Sequence, residues 1–294
     1  MFFNGRSSVA KGSCLCGVVR WGTSDDLTPP SHCHCLMCRK AHGAPFASFT
    51  SCAKDEFDWI SGEGNVGQFI SSPDLVRRFC KTCGSSVPGS TKGNGRVFLP
   101  LGCMDVDPGL RDGRHLFIGS KAPWHTIADQ LEKHDTYPLG PGMHSDLPVF
   151  EAPKLSDPKP GTLRGSCLCG QVAYEVDEPF SVVHNCHCSR CRKARGAAHA
   201  TNGFVSLDAF RFVKGEELVT YFKLSNAVVF GQAFCSNCGS AVPRRNIEGG
   251  VVNVPLGPLD DKPDTKPSDH IFVASKADWY EIADDILQFE EGPN

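Results

Sequence analysis

The sequence predicts a mainly β protein made of two tandem, metal-stapled domains. Three observations predict it. One set of cysteine motifs occurs twice in register, most of the patterned segments are short β-branched or aromatic runs, and each copy carries seven cysteines at chelating spacings.

The repeat comes first. Gly12-Ser13-Cys14-Leu15-Cys16-Gly17 returns as Gly165-Ser166-Cys167-Leu168-Cys169-Gly170. Cys33-His34-Cys35 and Cys38-Arg39-Lys40-Ala41 return as Cys186-His187-Cys188 and Cys191-Arg192-Lys193-Ala194 at the same offset. Phe79-Cys80, Cys83-Gly84-Ser85, Pro100-Leu101-Gly102, His115, Ser120-Lys121-Ala122 and Trp124 return two residues further on. Their counterparts are Phe234-Cys235, Cys238-Gly239-Ser240, Pro255-Leu256-Gly257, His270, Ser275-Lys276-Ala277 and Trp279. The expected boundaries are a first domain over 8–137, a linker over 138–161 carrying six prolines, and a second domain over 162–291.

Within the second copy, 171–176, 210–213, 218–224, 228–234, 251–256 and 271–274 read as strands. A short helix is expected after each Cys-x-x-Cys-Arg-Lys. A longer one is expected at the end of each copy, from Trp124 to Lys133 and from Trp279 to Phe289, where Ile282, Ile286 and Phe289 would share a face. Trp124 and Trp279 would anchor those last helices in their cores.

Composition narrows the function. With 30 basic against 33 acidic residues the net charge is −3, which provides no electrostatic footprint for nucleic acid or an anionic membrane. No apolar run approaches the roughly 18 residues of a membrane span, and the N-terminal residues lack a secretory pattern. A cytoplasmic location follows as an expectation, and there sixteen cysteines point to metal rather than disulfides.

The metal most suited to such sites is zinc, which takes four thiolates tetrahedrally in structural sites and three protein ligands in catalytic ones. Seven cysteines divide as four plus three. Two short chelating turns form the expected structural quartet, Cys14, Cys16, Cys80 and Cys83, with Cys167, Cys169, Cys235 and Cys238 in the second copy. The remaining trio is Cys33, Cys35 and Cys38, or Cys186, Cys188 and Cys191, and its zinc would keep an open position. Four zinc ions per chain are expected. His34 or His187 as a fourth ligand is the alternative, although an extended Cys-His-Cys points the histidine away from both thiolates. A zinc held by three thiolates carries a net charge of −1 and suits a soft incoming thiolate. Arg39, Lys40, Arg192 and Lys193 stand beside the trios, offsetting that negative charge, holding the carboxylates of a thiol-bearing peptide, or forming an ordinary solvated basic pair.

These three motifs, in this order and in both copies, resemble the glutathione-dependent formaldehyde-activating enzyme family, which includes centromere protein V-like proteins. The resemblance implies an Mss4-like β-tent fold, a quartet zinc and a trio zinc. It also implies a carbon–sulfur lyase activity joining glutathione to formaldehyde or reversing that reaction. A non-catalytic zinc scaffold for a protein partner is the rival reading. The typical member has one domain, and the second copy departs after its trio: Phe46 corresponds to His199, and Phe49 to Asn202. His199 is expected to be a loop histidine, with an acid–base or ligand role as the alternative. Cys52 and Cys103 have no counterparts and read as small buried hydrophobes. His115 and His270 read as structural hydrogen-bonding groups.

Overall fold

The computed structural model describes residues 2–3, 6–7, 10–24, 27–93, 95–137 and 159–293. Most of the proline-rich linker, 138–158, lies outside the described residues. The structure is mainly β, as the short branched runs predict.

In the first half, Ala10–Ser13, Arg20–Thr23 and Phe57–Ser61 form a three-stranded antiparallel sheet. A second sheet runs in the order Glu132–His134, Arg114–Leu116, Ser31–Cys33, Ala47–Ala53, Arg96–Pro100, Ser86–Thr91, Leu75–Cys80, Val66–Ile70. Its first two neighbour pairs are parallel, and Leu116 sits opposite Cys33 in that register. The second half repeats the plan, with Ile271 opposite Cys186. There the strand matching Ser86–Thr91 is cut at Pro243 into Ala241–Val242 and Arg244–Asn246, so the large sheet divides in two. Proline cannot donate to the ladder; at the matching position, Pro88, the first half shows a shift of register between Val87 and Ser90 within one continuous strand.

Two α-helices occur among the described residues, α1 (Leu36–His42) and α2 (Ser189–Arg195), each directly after a Cys-His-Cys as expected. The expected terminal helices are not there. Residues 122–131 are turn and coil before the strand Glu132–His134, and the equivalent stretch leads to Leu287–Gln288. From Tyr280 to Leu287, alternate residues are half-buried and exposed, which is the period of an extended chain rather than a helix. These segments are extended because they cross between halves. Ala122 and Trp124 pack with Tyr174, Val176, Phe210 and Leu256 of the second half. Ala277 and Trp279 pack with Val19, Trp21, Leu99 and Leu101 of the first. Both tryptophans are core anchors, but each anchors the core of the other half.

The halves meet closely elsewhere. Gly102 lies against Ala197, and Gly257 against Arg39 and Ala44; a Cβ on either would stand about 2.4–2.5 Å from backbone atoms of the other half. Only glycine permits that approach. Phe79 and Phe234 meet edge to face, with ring centres 6.2 Å apart, and each covers the knuckle glycine of the opposite half, Gly239 and Gly84.

Candidate metal centres

Four cysteine clusters emerge, and they are the sets that the spacing predicts. Cys14, Cys16, Cys80 and Cys83 converge, as do Cys167, Cys169, Cys235 and Cys238; all sulfurs in each set lie within 4.8 Å of one another. Cys33, Cys35 and Cys38 form a third cluster, and Cys186, Cys188 and Cys191 a fourth, on the same criterion. In the quartets Cys14 Sγ lies 3.4 Å from Cys16 Sγ, and Cys16 Sγ lies 3.8 Å from Cys80 Sγ. Sulfurs about 2.3 Å from a tetrahedral ion stand about 3.8 Å apart, so the sets fit a soft four-coordinate cation.

Local backbone builds these clusters. Gly17 and Gly84 take φ of 76° and 73°, turning the chain back so that paired sulfurs face one point. The Val19 amide donates to Cys14 Sγ at 3.3 Å, and Asn65 Nδ2 donates to Cys80 Sγ at 3.2 Å. Ser85 Oγ accepts from the Leu15 amide at 3.0 Å and lies 3.3 Å from Cys83 Sγ, tying the two chelating turns together. Leu168, Ser240 and Cys238 repeat this arrangement. Donors aimed at sulfur favour the thiolate that a metal requires.

In each trio the second cysteine is the helix N-cap. Cys35 Sγ accepts from the Cys38 amide at 3.4 Å, and Cys188 Sγ from the Cys191 amide at 3.4 Å. Capping therefore sets two of the three sulfurs. Shared protons polarise the clusters. The hydrogen bond with Cys35 pushes the Cys33 thiol well above its ordinary range, while that with Cys33 holds Cys38 well below it. In the second half the bond with Cys186 pulls Cys188 down to about 3.

His34 and His187 turn away from the sulfurs. His34 Nε2 lies 2.8 Å from His115 Nδ1, and His115 Nε2 lies 3.0 Å from both oxygens of Asp129. His187, His270 and Asp284 form the same chain at 2.7 and 2.9 Å. The carboxylate takes the Nε2–H of the middle ring. That ring's Nδ1 must then accept, so His34 and His187 donate through Nε2 and keep a bare Nδ1, which has no partner in either half. Burial holds both outer rings neutral, well below the ordinary histidine range. His115 and His270 thus have the hydrogen-bonding role expected. Asp129 and Asp284 were not singled out in the sequence, although their repetition in register is a signal that could have found them.

The basic residues separate. Lys40 is fully buried, and its Nζ donates to Ser166 O at 2.8 Å, Ser166 Oγ at 2.8 Å and Pro258 O at 3.2 Å; Asp260 lies 2.6 Å away. Lys193 Nζ reaches Ser13 Oγ and Asp105, each at 2.6 Å. Both ammonium groups are engaged across the interface, so neither is the solvated or ligand-facing lysine that adjacency to the trio suggested. Arg192 donates to His187 O at 3.3 Å and Ser275 O at 3.1 Å, bracing the trio loop. Arg39 Nε is buried and has no hydrogen-bond partner.

His199 is 1% exposed and lies between Phe46 and Tyr280, with ring centres 5.8 and 5.5 Å away. It lies in the loop just before the strand Ala200–Ser206, as expected, and is buried there at the interface. Cys52 and Cys103 are fully buried, as expected of small hydrophobes. The trios differ in their cover. Tyr137 stands edge-on to Phe117 at 5.0 Å, and burial together with the charge of the nearby trio sulfurs pushes its hydroxyl up. The matching position is Gly292, beside Phe272.

Fold and clusters define a two-copy, mainly β protein with four cysteine sites able to hold a metal. The chain belongs to the glutathione-dependent formaldehyde-activating enzyme family, whose model matches residues 9–120 and 162–275 and so covers both copies. Among relatives, a Schizosaccharomyces pombe protein named an uncharacterized lyase is 34% identical over 77 residues, 26% of this chain and 54% of its own length; the chain thus spans about half of that relative. A Halomonas elongata protein, provisionally named a glutathione-dependent formaldehyde-activating enzyme, is 32% identical over 127 residues, 41% of this chain and 80% of its own. A crystal structure of a Rhodobacter sphaeroides protein is 26% identical, covering 35% of this chain and 97% of its own with a TM-score of 0.29. No helix among the described residues is long and apolar enough to cross a membrane.

Proposed function

We propose that this chain is a zinc-dependent carbon–sulfur lyase-type enzyme that joins or cleaves the bond between glutathione, or a similar small thiol, and a small electrophile such as formaldehyde. The observation that carries the reading is that three sulfurs converge in each trio while the adjacent histidine is committed to a second histidine on the far side. Family membership supports the substrate class.

The quartets would hold structural zinc, and the trios would hold zinc with a position left for substrate. Zinc there would supply a Lewis-acidic centre that stabilises a thiolate at neutral pH. The chain's own groups do the rest. Cys33, Cys35 and Cys38, or Cys186, Cys188 and Cys191, would hold the ion, with the helix cap setting two of the three sulfurs. The chains Asp129–His115–His34 and Asp284–His270–His187 hold the Cys-His-Cys segment in place. Arg39 and Arg192, which interact electrostatically with Cys35 and Cys188, would offset the charge of an incoming anion. In the addition, the thiolate sulfur forms a bond to the carbonyl carbon, the C=O π bond breaks, and the oxygen takes up the proton the thiol released. Cleavage is the reverse.

Cobalt substitution tests this. Glutathione titrated into the cobalt-loaded protein should change its ligand-field absorption, and Cys35→Ser together with Cys188→Ser should abolish both the change and turnover while the fold persists. An unchanged spectrum would leave only a zinc scaffold that binds a protein partner.

A further inference from the structure

A trio of thiolates around a divalent ion leaves a net negative charge in a largely buried place, which is costly unless something offsets it. In the first half Arg77, on the strand Leu75–Cys80, donates from Nη2 to Cys38 Sγ at 3.4 Å, with its Nε held by Ser71 Oγ at 3.0 Å. The repeat places Gln232 at the equivalent position, and its amide instead reaches the Cys83 carbonyl of the first half. The second half has therefore lost this arginine.

A different position has gained one. The last residue of α1 is His42, and its counterpart at the end of α2 is Arg195. Arg195 follows Cys191 by four residues, one helical turn along the same face. It is 6% exposed, and its Nη1 is buried with no hydrogen-bond partner. A buried guanidinium nitrogen without a partner costs stability unless an anion faces it. His42 brings no charge to the first trio. Its ring is 3% exposed, with Nδ1 2.6 Å from the Arg195 carbonyl.

We infer that each trio is matched by one further guanidinium besides Arg39 or Arg192, namely Arg77 in the first half and Arg195 in the second, delivered from different elements but serving the same end. Each acts as a counter-charge that holds the ion on three thiolates and leaves its fourth position able to accept an anionic sulfur. The exchange is reciprocal, arginine and histidine in one half against glutamine and arginine in the other, so the number of charges per trio is kept while the scaffold changes. This rests on the reading that the trios hold zinc.

The test is zinc retention measured against a chromophoric chelator, with no turnover assay needed. Wild-type protein should hold four zinc ions. Arg77→Gln should weaken one of them by about tenfold or more and leave three unchanged, the size typical of losing a partner beside a metal ligand. Arg195→His should do the same to one ion of the second half. Arg77→Lys, which keeps the charge and spares the fold, should recover most of the loss, and adding His42→Arg to Arg77→Gln should recover it by recreating the arrangement of the second half. If Arg77→Gln lowers the melting temperature without weakening any one zinc, or if Arg77→Lys binds no better than Arg77→Gln, the arginines only pack and the inference fails. If wild-type protein holds two zinc ions, the underlying reading fails and takes this inference with it.

Discussion

Lys40 Nζ lies 2.6 Å from Asp260 Oδ1, and the two side chains, from opposite halves of the chain, are 0% and 8% exposed. The pair is inside the molecule. Its counterpart, Lys193 with Asp105, has the same 2.6 Å separation but about a quarter of each side chain remains exposed. Removing one partner of a buried pair strands the other, at about 3–5 kcal/mol, whereas exposed pairs contribute about 1 kcal/mol or less. Lys40→Ala should therefore cost several times more stability than Lys193→Ala, as read by urea denaturation of the two variants. Equal losses would mean that the buried carboxylate relaxes to water.

Trp124 and Trp279 each complete a core that their own half does not contain. Trp124→Ala should cost about 3–5 kcal/mol, the usual range for a buried aromatic, and the loss should appear in probes of the second half. Expressed alone, residues 8–137 should not give a folded monomer; size-exclusion chromatography with circular dichroism should find a dimer of two such halves or an unfolded chain. A folded, monomeric first half would refute the interlock.

His199 is buried, and burial pulls its pKa down from 6.5 to about 3. Between those values the unfolded chain binds a proton that the folded chain refuses, so stability is complete above about pH 6.5 and is lost as pH falls toward 3. The slope is at most about 1.4 kcal/mol per pH unit from this one ring. His199→Phe, which installs the residue of the first half, should flatten the fall in melting temperature between pH 7 and 5. An unchanged acid limb would show that the ring is protonated in the fold.

The cysteine sets were legible because chelation is local. Two thiolates one or two residues apart reach one ion whatever the rest of the chain does, and the repeat shows which pairs belong together. The mainly β character was legible for a similar reason, since branched runs state their own preference. The terminal segments were misread because Ile282, Ile286 and Phe289 also fit a helical face, and the alternation of burial that betrays an extended chain exists only once a neighbour is present.

By itself, then, the sequence determined the duplication, the division of each copy's cysteines into four and three, and the orientation of His34 and His187 away from the sulfurs. Local spacing and backbone period carry that information. Only the tertiary structure decided that the halves exchange their tryptophans, that Lys40 and Lys193 serve the interface, and that Arg77 reaches the sulfur of Cys38. Those relations join residues far apart in the chain, and which distant groups meet depends on how two whole surfaces pack, a property no short window of residues contains.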